Sequence, residues 1–524
     1  MNPLVIAATM ARRGMLAPNL PHRLVGQLTS LATWGMSLVG EVRQAALGAP
    51  QRIAVIDQAR GATTYAELFD RGMRAAVALR SQGVEPGHRI GLMARNHVGA
   101  VEVMVGASAL GVDLVLVNTG LAGEQLGLVL AQQEIDLLVH DEEFAAIVDV
   151  LVDGPKTLSE SAFAAAVDAL PVGTSVDRPE PAGRTIILTS GTTGVPKGAA
   201  RRTPKGVGAL VSMIDRIPLH VGDRILIAAP IFHTWGYAAL QLSFGMSATV
   251  ILRRRFDPRD VVEVLEGERV QAMFAVPVML QRMIEQLPAD PGGTVRRPSL
   301  RVVATSGSAY PSGFTTRFMD EYGDVLYNLY GSTEASWICI ATPSDLRRHP
   351  DTAGTPPLGT VVRLLDADGA EVPDGETGRI FCGNEMVFEG YTSGGSKEFI
   401  DGLVSTGDMG HRADGLYFID GRDDDMVISG GENVYPSEVE GLVVAHPAVR
   451  EVSVVGVPDP DFGQRLAAFI ALEPGAELSA DDVRDLVRSQ RARHCVPREV
   501  VFLDELPRNT TGKILTRELK ARFV

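Results

Sequence analysis

The sequence predicts an α/β protein with a large N-terminal domain and a smaller α+β domain at its C-terminal end. Short runs rich in β-branched residues alternate with helical patterns over residues 53–327, which is typical of parallel sheets covered by helices. Residues 354–382 are instead rich in Gly, Pro and Asp turns between short strands, which favours a small β meander or barrel. The charged run 420–425 has the composition of an exposed linker, so a second domain is expected beyond it.

The individual elements follow from local patterns. Short apolar runs predict buried strands, and longer stretches with helical periodicity predict helices. In the large domain, the predicted strands include residues 89–93, 186–188, 302–305, 361–365 and 379–381, and the predicted helices include residues 99–109 and 311–321. In the C-terminal part, the predicted elements are helix 436–445, strand 452–457, strand 465–472 and helix 480–491.

Length, charge and cysteine content restrict the class of function. A chain of 524 residues with 45% apolar composition can form two or more domains with a large core. The net charge of −15 argues against nucleic acid as the main partner. No apolar run approaches the ~20 residues that span a bilayer. Cys339, Cys382 and Cys495 lie far apart without a metal-binding spacing, so we expect a reduced, cytoplasmic protein.

The first forty residues contain no Asp or Glu but carry Arg12, Arg13, His22 and Arg23 among apolar side chains. Two interpretations stay open. The segment is either a helical arm packed on the first domain or an interfacial segment that touches an anionic membrane, which would place the protein peripherally at the inner membrane surface. A cleaved transit peptide is disfavoured because serine is sparse.

The stretch from Thr189 to Gly198 follows the predicted strand 186–188 and is the most informative motif of the chain. It contains three glycines, four hydroxyl side chains and one lysine, Lys197. Glycines let backbone N–H groups surround phosphate oxygens, while the hydroxyls add donors and the lysine adds charge. Pro196 precedes this lysine and Gly198 follows it, unlike in the Walker P-loop. The sequence therefore predicts a phosphate-binding loop of another type.

This loop and several later motifs resemble the signatures of the adenylate-forming superfamily, which includes acyl-CoA synthetases, firefly-luciferase-like enzymes and the adenylation domains of peptide synthetases. The later motifs are residues 328–334, 405–408, 421–422, 429–436 and 507–514. The resemblance covers nearly the whole chain. It implies that the large domain contains two α/β sheet subdomains and a small β-barrel-like subdomain.

The same resemblance implies the domain boundaries. An N-terminal arm is expected over residues 1–45 and a large AMP-binding domain over residues 46–421. A small mobile domain is expected over residues 422–524, with Asp424 as the hinge about which it rotates.

The resemblance also implies nucleotide contacts. Tyr330 is expected to pack on adenine, and Thr333 to contact the α-phosphate. Asp408 is expected to bind the ribose, since a carboxylate can accept from both hydroxyls, and Arg422 to reach the same sugar. The full predicted set of nucleotide-binding residues is Thr189, Ser190, Gly191, Thr192, Thr193, Gly194, Lys197, Ser306, Gly307, Ser308, Tyr330, Gly331, Ser332, Thr333, Asp408 and Arg422.

The metal and the acid substrate are assigned in the same way. Glu334 and Thr192 are the expected Mg²⁺ ligands. His233, in a Phe-His-x-x-Gly element that ends at Gly236, is similar to a histidine that flanks the substrate carboxylate in relatives. This segment carries no acidic residue, and a buried ammonium without a partner would be costly. We therefore expect a carboxylic acid without an α-amino group.

The resemblance also implies which residues form the acyl site and the CoA site. Trp235 or Tyr237 is expected to gate an acyl tunnel, with Val276 in its apolar wall. Gly430 and Gly431 resemble the loop that borders the pantetheine tunnel of CoA ligases, where glycine allows a flat backbone.

Lys513, Glu334 and His233 are the expected catalytic residues. Lys513 is expected to bridge the substrate carboxylate and the α-phosphate, so that electrostatic stabilisation and positioning dominate catalysis. The implied activity is that of an acyl-CoA synthetase for a medium- or long-chain fatty acid. It uses ATP, Mg²⁺ and CoA, forms acyl-AMP with release of pyrophosphate, and then transfers the acyl group to the CoA thiol.

Other activities stay open at this point. They are an acyl-AMP ligase that feeds a carrier protein, an aryl-CoA ligase, a luciferase-like oxygenase and a silent acyl-nucleotide-binding protein. Gly430 and Gly431 favour CoA as acceptor, and the presence of Lys513, Glu334 and Asp408 argues against a silent protein. The sequence gives neither the acyl chain length nor the oligomeric state.

Overall fold

A computed structural model gives the fold. It describes residues 2–16, 20–121, 123–151, 154–179, 182–189, 196–201, 204, 206–286, 299–311, 313–423, 427–429, 432–434, 436–459, 463–491, 493–509 and 512–523.

Helices and strands alternate along the large domain. The α-helices are α1 Pro3–Arg12, α2 Pro21–Trp34, α3 Leu38–Gly48, α4 Tyr65–Ser81, α5 Val98–Leu110, α6 Gly123–Gln132, α7 Ala145–Val148, α8 Glu160–Asp168, α9 Gly208–Arg216, α10 Thr234–Gly245, α11 Pro258–Gly267, α12 Pro277–Glu285, α13 Phe314–Tyr322, α14 Pro343–Arg348, α15 Pro436–Val444, α16 Ala480–Gln490 and α17 Thr516–Lys520. The strands are β1 Ile53–Asp57, β2 Gly61–Thr64, β3 Arg89–Met93, β4 Asp113–Leu116, β5 Leu137–His140, β6 Lys156–Ser159, β7 Thr185–Thr189, β8 Lys197–Arg201, β9 Arg224–Ile227, β10 Thr249–Leu252, β11 Ala272–Ala275, β12 Val302–Thr305, β13 Leu326–Ser332, β14 Ser336–Ala341, β15 Val361–Leu365, β16 Gly378–Gly383, β17 Gly390–Tyr391, β18 Phe399–Ile400, β19 Leu403–Ala413, β20 Leu416–Arg422, β21 Val427–Ser429, β22 Glu432–Val434, β23 Val449–Asp459, β24 Gly463–Leu472 and β25 Glu499–Phe502.

Two large sheets dominate the part of the chain that the structure describes. One has seven strands in the order β17-β8-β7-β4-β3-β5-β6, and the other has eight in the order β14-β13-β12-β11-β9-β10-β1-β2. Their inner strands are parallel, whereas β8, β17, β14 and β2 run antiparallel to their neighbours. In parallel sheets, the segments that follow the strands gather at the carboxyl edge, where ligands usually bind. The segments after β9, β11 and β12, which are neighbours in the eight-stranded sheet, carry predicted site residues, so the topology brings these segments together.

Two smaller sheets complete the fold. Strands β15, β16, β19 and β18 form an antiparallel sheet that β20 extends from β19, as the turn-rich composition of residues 354–382 predicts. In the C-terminal part, the order is β22-β21-β24-β23, and β25 pairs with β24 in parallel. The α/β class with a large N-terminal and a small C-terminal domain is thus confirmed.

The N-terminal segment is helical, and its third helix is a core element. Ser37 caps α3, since its Oγ accepts from the Gly40 N–H at 3.2 Å. Val39 and Val42 are fully buried on this helix, which packs against α5 and α10. Leu4 on α1, by contrast, is exposed. None of the described helices combines the length and the apolar character needed to cross a membrane.

The predicted elements agree with the structure except at some ends. Helix α13 begins at Phe314 and not at Pro311, because Gly313 before it has a left-handed backbone with φ 73°. Strand β23 is longer than the predicted 452–457, because it pairs with β24 over nearly the whole length of that strand. Long-range pairing of this kind is not encoded in a local pattern.

Candidate active site

One cavity of about 1470 Å³ collects the predicted residues from both domains. Lys197, His233, Glu334, Asp408 and Lys513 all line it. The other predicted residues that line it are Trp235, Tyr237, Val276, Ser306, Gly307, Ser308, Tyr330, Gly331, Ser332, Thr333 and Arg422. These motif residues therefore converge on one site, although Lys197 and Lys513 are 316 positions apart in the sequence.

Some predicted positions are not covered by the structure. Ser190, Gly191, Thr192, Thr193, Gly194, Asp424, Gly430 and Gly431 lie outside the described residues. Thr189 ends β7 and pairs with Lys197 across the antiparallel ladder. The two ends of the predicted phosphate loop are therefore adjacent backbone positions, and Lys197 starts the next strand.

The Glu334 carboxylate is positioned by a tyrosine from β17. The Tyr391 hydroxyl donates a hydrogen bond to Oε1 of Glu334 at 2.7 Å, and Lys197 Nζ lies 5.3 Å from the centre of the Tyr391 ring. Burial and the neighbouring carboxylate raise the pKa of Tyr391, so its proton stays available for donation. Glu334 is half-buried in the cavity wall, and Mg²⁺ prefers carboxylate oxygen ligands of this kind. Glu334 therefore fits the expected metal.

A half-buried arginine supports the backbone of the same loop. The Arg201 guanidinium donates to the carbonyl oxygens of Ser332 and Thr333, at 3.4 and 3.1 Å. Burial lowers the pKa of Arg201 to about 10, which still leaves it charged at neutral pH. The pairing of a half-buried cation with carbonyl oxygens offsets part of its desolvation cost. Arg201 thus fixes the loop that carries Thr333 and Glu334.

The predicted adenine and ribose residues contact each other directly. The Tyr330 hydroxyl donates to Oδ2 of Asp408 at 2.5 Å, and it lies 3.4 Å from Thr406 Oγ1. Thr406 Oγ1 in turn accepts from the Asp408 N–H at 3.0 Å. Burial raises the pKa of Asp408, whereas the Tyr330 hydrogen bond and the charges of Arg422, Lys397 and Lys513 oppose this shift. The carboxylate therefore lies in a positive environment that both domains supply.

The Phe-His-x-x-Gly segment forms the wall next to Thr333. Gly236 is required here, since a Cβ atom would lie 2.1 Å from the Pro230 carbonyl oxygen. Thr234 Oγ1 is 3.3 Å from Thr333 Oγ1, which joins this segment to the loop of Glu334. His233 Nε2 is buried and has no hydrogen-bond partner among the described residues. Burial lowers the pKa of His233 to about 4, so the ring is neutral at pH 7.

The two aromatic residues that were predicted to gate an acyl tunnel line the cavity. Trp235 Nε1 donates to the Ala275 carbonyl oxygen at 3.1 Å, and the Tyr237 hydroxyl is 2.9 Å from Thr185 Oγ1. These hydrogen bonds fix both rings in place. Val276 lies opposite Gly307, whose φ of 111° and missing side chain leave room between them.

Lys513 enters the cavity from the C-terminal domain on a tight turn. Asn509 Oδ1 accepts from the Lys513 N–H at 2.9 Å, and the Lys513 carbonyl oxygen accepts from the Asn509 N–H at 2.9 Å. Gly512 has φ 80°, and a Cβ atom there would lie 2.2 Å from Cγ1 of Val278 on α12. The turn therefore packs closely on the large domain, which places the Lys513 charge near Asp408.

Sequence reasoning missed Tyr391, Arg201 and Lys397. Each lines the cavity, but none belongs to one of the superfamily motifs. Lys397 is brought to the site by the small antiparallel sheet, where its Nζ lies 3.3 Å from the position of a Cβ on Gly407. The sequence offered one indication of Lys397, because only six of the 49 basic residues in this chain are lysines.

Known proteins match the chain over most of its length. The model of AMP-binding enzymes matches residues 42–392, and that of the AMP-binding enzyme C-terminal domain matches residues 438–513. A feruloyl-CoA synthase from Amycolatopsis sp is 33% identical over 469 residues, which cover 88% of this chain and 94% of that protein. A 2-succinylbenzoate–CoA ligase from Geobacillus kaustophilus is 33% identical over 500 residues, covering 94% and 98%. The structure of an o-succinylbenzoate CoA synthetase from Bacillus subtilis in complex with its acyl-adenylate intermediate superposes with a TM-score of 0.80 at 28% identity, covering 92% of this chain and 97% of that one. The chain therefore belongs to the family of AMP-binding enzymes within the adenylate-forming superfamily.

Proposed function

We propose that this protein is an ATP-dependent CoA ligase that activates an aromatic carboxylic acid. The observation that carries the proposal is the convergence of Lys197, Glu334, Asp408 and Lys513 on one cavity whose lining also includes several aromatic side chains. CoA ligases of the superfamily use ATP, Mg²⁺ and CoA.

The nucleotide would bind between the two domains. Asp408 would accept hydrogen bonds from the ribose, and the Tyr330 ring would pack on the base. Lys197 and the preceding loop would bind the β- and γ-phosphates, since amide groups and an ammonium together form an anion site. Glu334 would hold Mg²⁺, which when bound neutralises phosphate charge.

The reaction would proceed in two displacements. In the first, a carboxylate oxygen of the acid bonds to the α-phosphorus of ATP, and the bond from that phosphorus to the bridging oxygen of pyrophosphate breaks. Lys513 would hold the two anions together by charge, and neutral His233 with Thr234 would border the carboxylate. In the second, the CoA thiolate sulfur bonds to the carbonyl carbon, the mixed anhydride breaks and AMP leaves.

The second step needs a different surface of the small domain. Residues 422–524 would rotate about Asp424, withdraw Lys513 and bring Gly430 and Gly431 to the cavity. In this proposal, the N-terminal arm ends at residue 45 and the large domain ends at residue 421. The tight packing of Gly512 on Val278 is a contact that such a rotation would break.

We prefer an aromatic acid to a fatty acid because of the aromatic residues of the cavity. Trp235, Tyr310 and Trp337 line it, and such flat side chains suit a planar ligand. Two of the relatives are named for feruloyl and 2-succinylbenzoate substrates, which are both aromatic. The sequence-based expectation of a medium- or long-chain fatty acid has less support. It remains the second candidate because Leu210 and Met213 extend the apolar wall.

A panel of acids tests the proposal. Pyrophosphate release is measured with benzoic, cinnamic, indoleacetic and C8–C16 fatty acids, with and without CoA, and the products are identified by mass spectrometry. We expect acyl-CoA from an aromatic acid. Thioester from fatty acids alone would shift the assignment to the second candidate. Pyrophosphate release without any CoA thioester would favour transfer to a carrier protein, and nucleotide binding without pyrophosphate release would indicate a silent protein.

A further inference from the structure

Helix α3 brings a carboxyl group into the acyl side of the cavity. Glu41 is 4% exposed and lines the cavity together with Tyr237 and Gln241 of α10. Its Oε2 atom is buried and has no hydrogen-bond partner among the described residues. No ion pair of the described residues involves Glu41 either, and burial raises the pKa of this carboxyl well above its usual range. Burial therefore favours the protonated form of Glu41, and the hydrogen-bonding capacity of its Oε2 atom is unused among the described residues.

The position of Glu41 is deeper than the reacting end of the substrate. Thr234 at the start of α10 adjoins Thr333, whereas Tyr237 and Gln241 lie on the same face of the helix one and two turns further on. Gln241 is thus about 10 Å from Thr234 along the helix axis. Gln44, three residues after Glu41 on α3, donates to Ser247 just past the C-terminal end of α10 at 3.3 Å. Glu41 therefore lies beside the part of α10 that follows Thr234.

An unpaired carboxyl group at such a site has a cost to folding. A polar group buried without a partner is destabilising, and an apolar residue at this position of α3 would avoid that cost. Val39 and Val42 on the same helix are apolar and fully buried. The retained carboxyl group can regain its hydrogen bonds only from a molecule in the cavity, because the protein around it offers none in the part that the structure describes.

We propose that Glu41 selects acids with an uncharged hydrogen-bonding group, such as a phenol or alcohol hydroxyl, at the end remote from the carboxylate. This inference rests on the proposed function and specifies the substrate class of the same cavity. A neutral carboxyl group both donates and accepts, as a hydroxyl does, so the two groups can pair reciprocally.

Other remote groups fit this end of the cavity less well. A second carboxylate would need a cation, but Arg184, which also lines the cavity, is already paired with Asp113 at 2.6 Å. A plain alkyl or phenyl end would leave Glu41 without a partner when the acid binds. A site with such a polar group discriminates against ligands that cannot pair with it.

The test uses pairs of acids that differ by one hydroxyl. They are 4-hydroxycinnamate with cinnamate, and 8-hydroxyoctanoate with octanoate; 8-aminooctanoate is a charged third member. For each acid, kcat/KM is measured by pyrophosphate release, and Kd is measured by calorimetry with a non-hydrolysable ATP analogue present. The proteins are wild type, Glu41→Leu, Glu41→Gln and the control Gln44→Leu. Gln44 is on the same helix but hydrogen-bonds Gln27 and Ser247 outside the cavity.

We expect the wild-type protein to prefer the hydroxylated member of a pair by about tenfold or more in kcat/KM and in Kd. Glu41→Leu should reduce this ratio to near one, Glu41→Gln should keep part of it, and Gln44→Leu should leave it unchanged. Glu41→Leu should also melt at a higher temperature than the wild type, because it removes a buried unpaired carboxyl group.

Several results would overturn the inference. An unchanged hydroxyl preference in Glu41→Leu, or no preference in the wild type, would show that Glu41 does not select the substrate. If Glu41→Leu fails to fold, Glu41→Gln takes its place. The same hydroxyl preference in Glu41→Gln as in the wild type would then lead to the same conclusion. Tighter binding of the amino acid than of the hydroxy acid would show that the partner is charged. If no acid releases pyrophosphate but the Kd preference is present and depends on Glu41, the proposed function fails and this inference stands.

Discussion

The Tyr330 hydroxyl donates to Oδ2 of Asp408 at 2.5 Å, so two residues 78 positions apart in sequence meet at the predicted nucleotide site. Tyr330 belongs to β13 of the eight-stranded sheet, whereas Asp408 belongs to β19 of the small antiparallel sheet. Their contact joins these two sheets at the cavity. It also means that the proposed base-binding and ribose-binding groups are positioned by one another before ATP arrives.

The first prediction separates the two roles in this pair. Asp408→Asn should raise the KM for ATP by tenfold or more, because the ribose loses a charged acceptor worth roughly 1.5–3 kcal/mol. Tyr330→Phe keeps the aromatic face and should change the KM for ATP by less than about threefold. The measurement is the ATP dependence of pyrophosphate release. Asp401→Asn, at an exposed position just before the same strand, is the matched control and should behave as wild type. Equal effects of Asp408→Asn and Asp401→Asn would contradict the ribose assignment.

The second prediction concerns the Tyr391 hydroxyl. Tyr391→Phe removes the donor to Glu334 and should raise the Mg²⁺ concentration needed for half-maximal activity by about tenfold, since the carboxylate loses its positioning partner. Glu334→Gln should abolish activity at every Mg²⁺ concentration. Tyr417→Phe is a suitable control, because the Tyr417 hydroxyl donates to the Val362 carbonyl oxygen outside the cavity. A Tyr391→Phe enzyme with an unchanged Mg²⁺ titration would remove Tyr391 from the metal site.

The third prediction concerns His233 and acid stability. Its folded-state pKa of about 4 lies below the unfolded value of about 6.5, so the unfolded chain binds the proton more readily. Above pH 6.5, the buried neutral ring does not lower the free energy of unfolding. As the pH falls from 6.5 towards 4, the free energy of unfolding decreases. At pH 5 the loss from this residue is about 2 kcal/mol.

Urea unfolding at pH 7.5 and 5.0 measures this effect. Between these two pH values, His233→Gln should lose about 2 kcal/mol less stability than the wild type. His22→Gln, at an exposed position, should follow the wild type. Parallel losses in wild type and His233→Gln would show that the ring is not buried in its neutral form.

The fourth prediction assigns Lys513 to one half-reaction. Lys513→Ala should abolish acyl-AMP formation but leave the transfer of a supplied acyl-AMP to CoA largely intact, because the lysine acts on the carboxylate and the α-phosphate only. Each half-reaction is measured separately, with Lys520→Ala on α17 as the control outside the cavity. Equal loss of both halves would mean that Lys513 supports the fold of the site and not the first chemical step.

The residues of the cavity differ in how far a sequence can reveal them. Lys197, Glu334, Asp408 and Lys513 belong to local motifs, so the amino-acid sequence alone is sufficient to predict them as site residues. Tyr391 cannot be identified in this way, because β17 is a two-residue strand whose place beside β8 depends on long-range pairing. Arg201 differs again, since its role depends on burial under a loop 132 residues away.

Glu41 shows a further limit of sequence patterns. On a helical projection, a glutamate near the start of α3 is an ordinary first-turn residue, where an acidic side chain is favourable. Its burial becomes visible only when α3 packs against α5 and α10. The proposed role of Glu41 in substrate preference depends on this packing, so the sequence alone did not predict it.

The exchange of labelled pyrophosphate into ATP, measured with an aromatic acid in the absence of CoA, tests the central claim most directly. If the groups around the cavity form an adenylate as a separate intermediate, the wild-type enzyme will catalyse exchange that depends on the acid, and Lys513→Ala will not. Exchange that occurs only when CoA is present, or that persists undiminished in Lys513→Ala, would contradict this account.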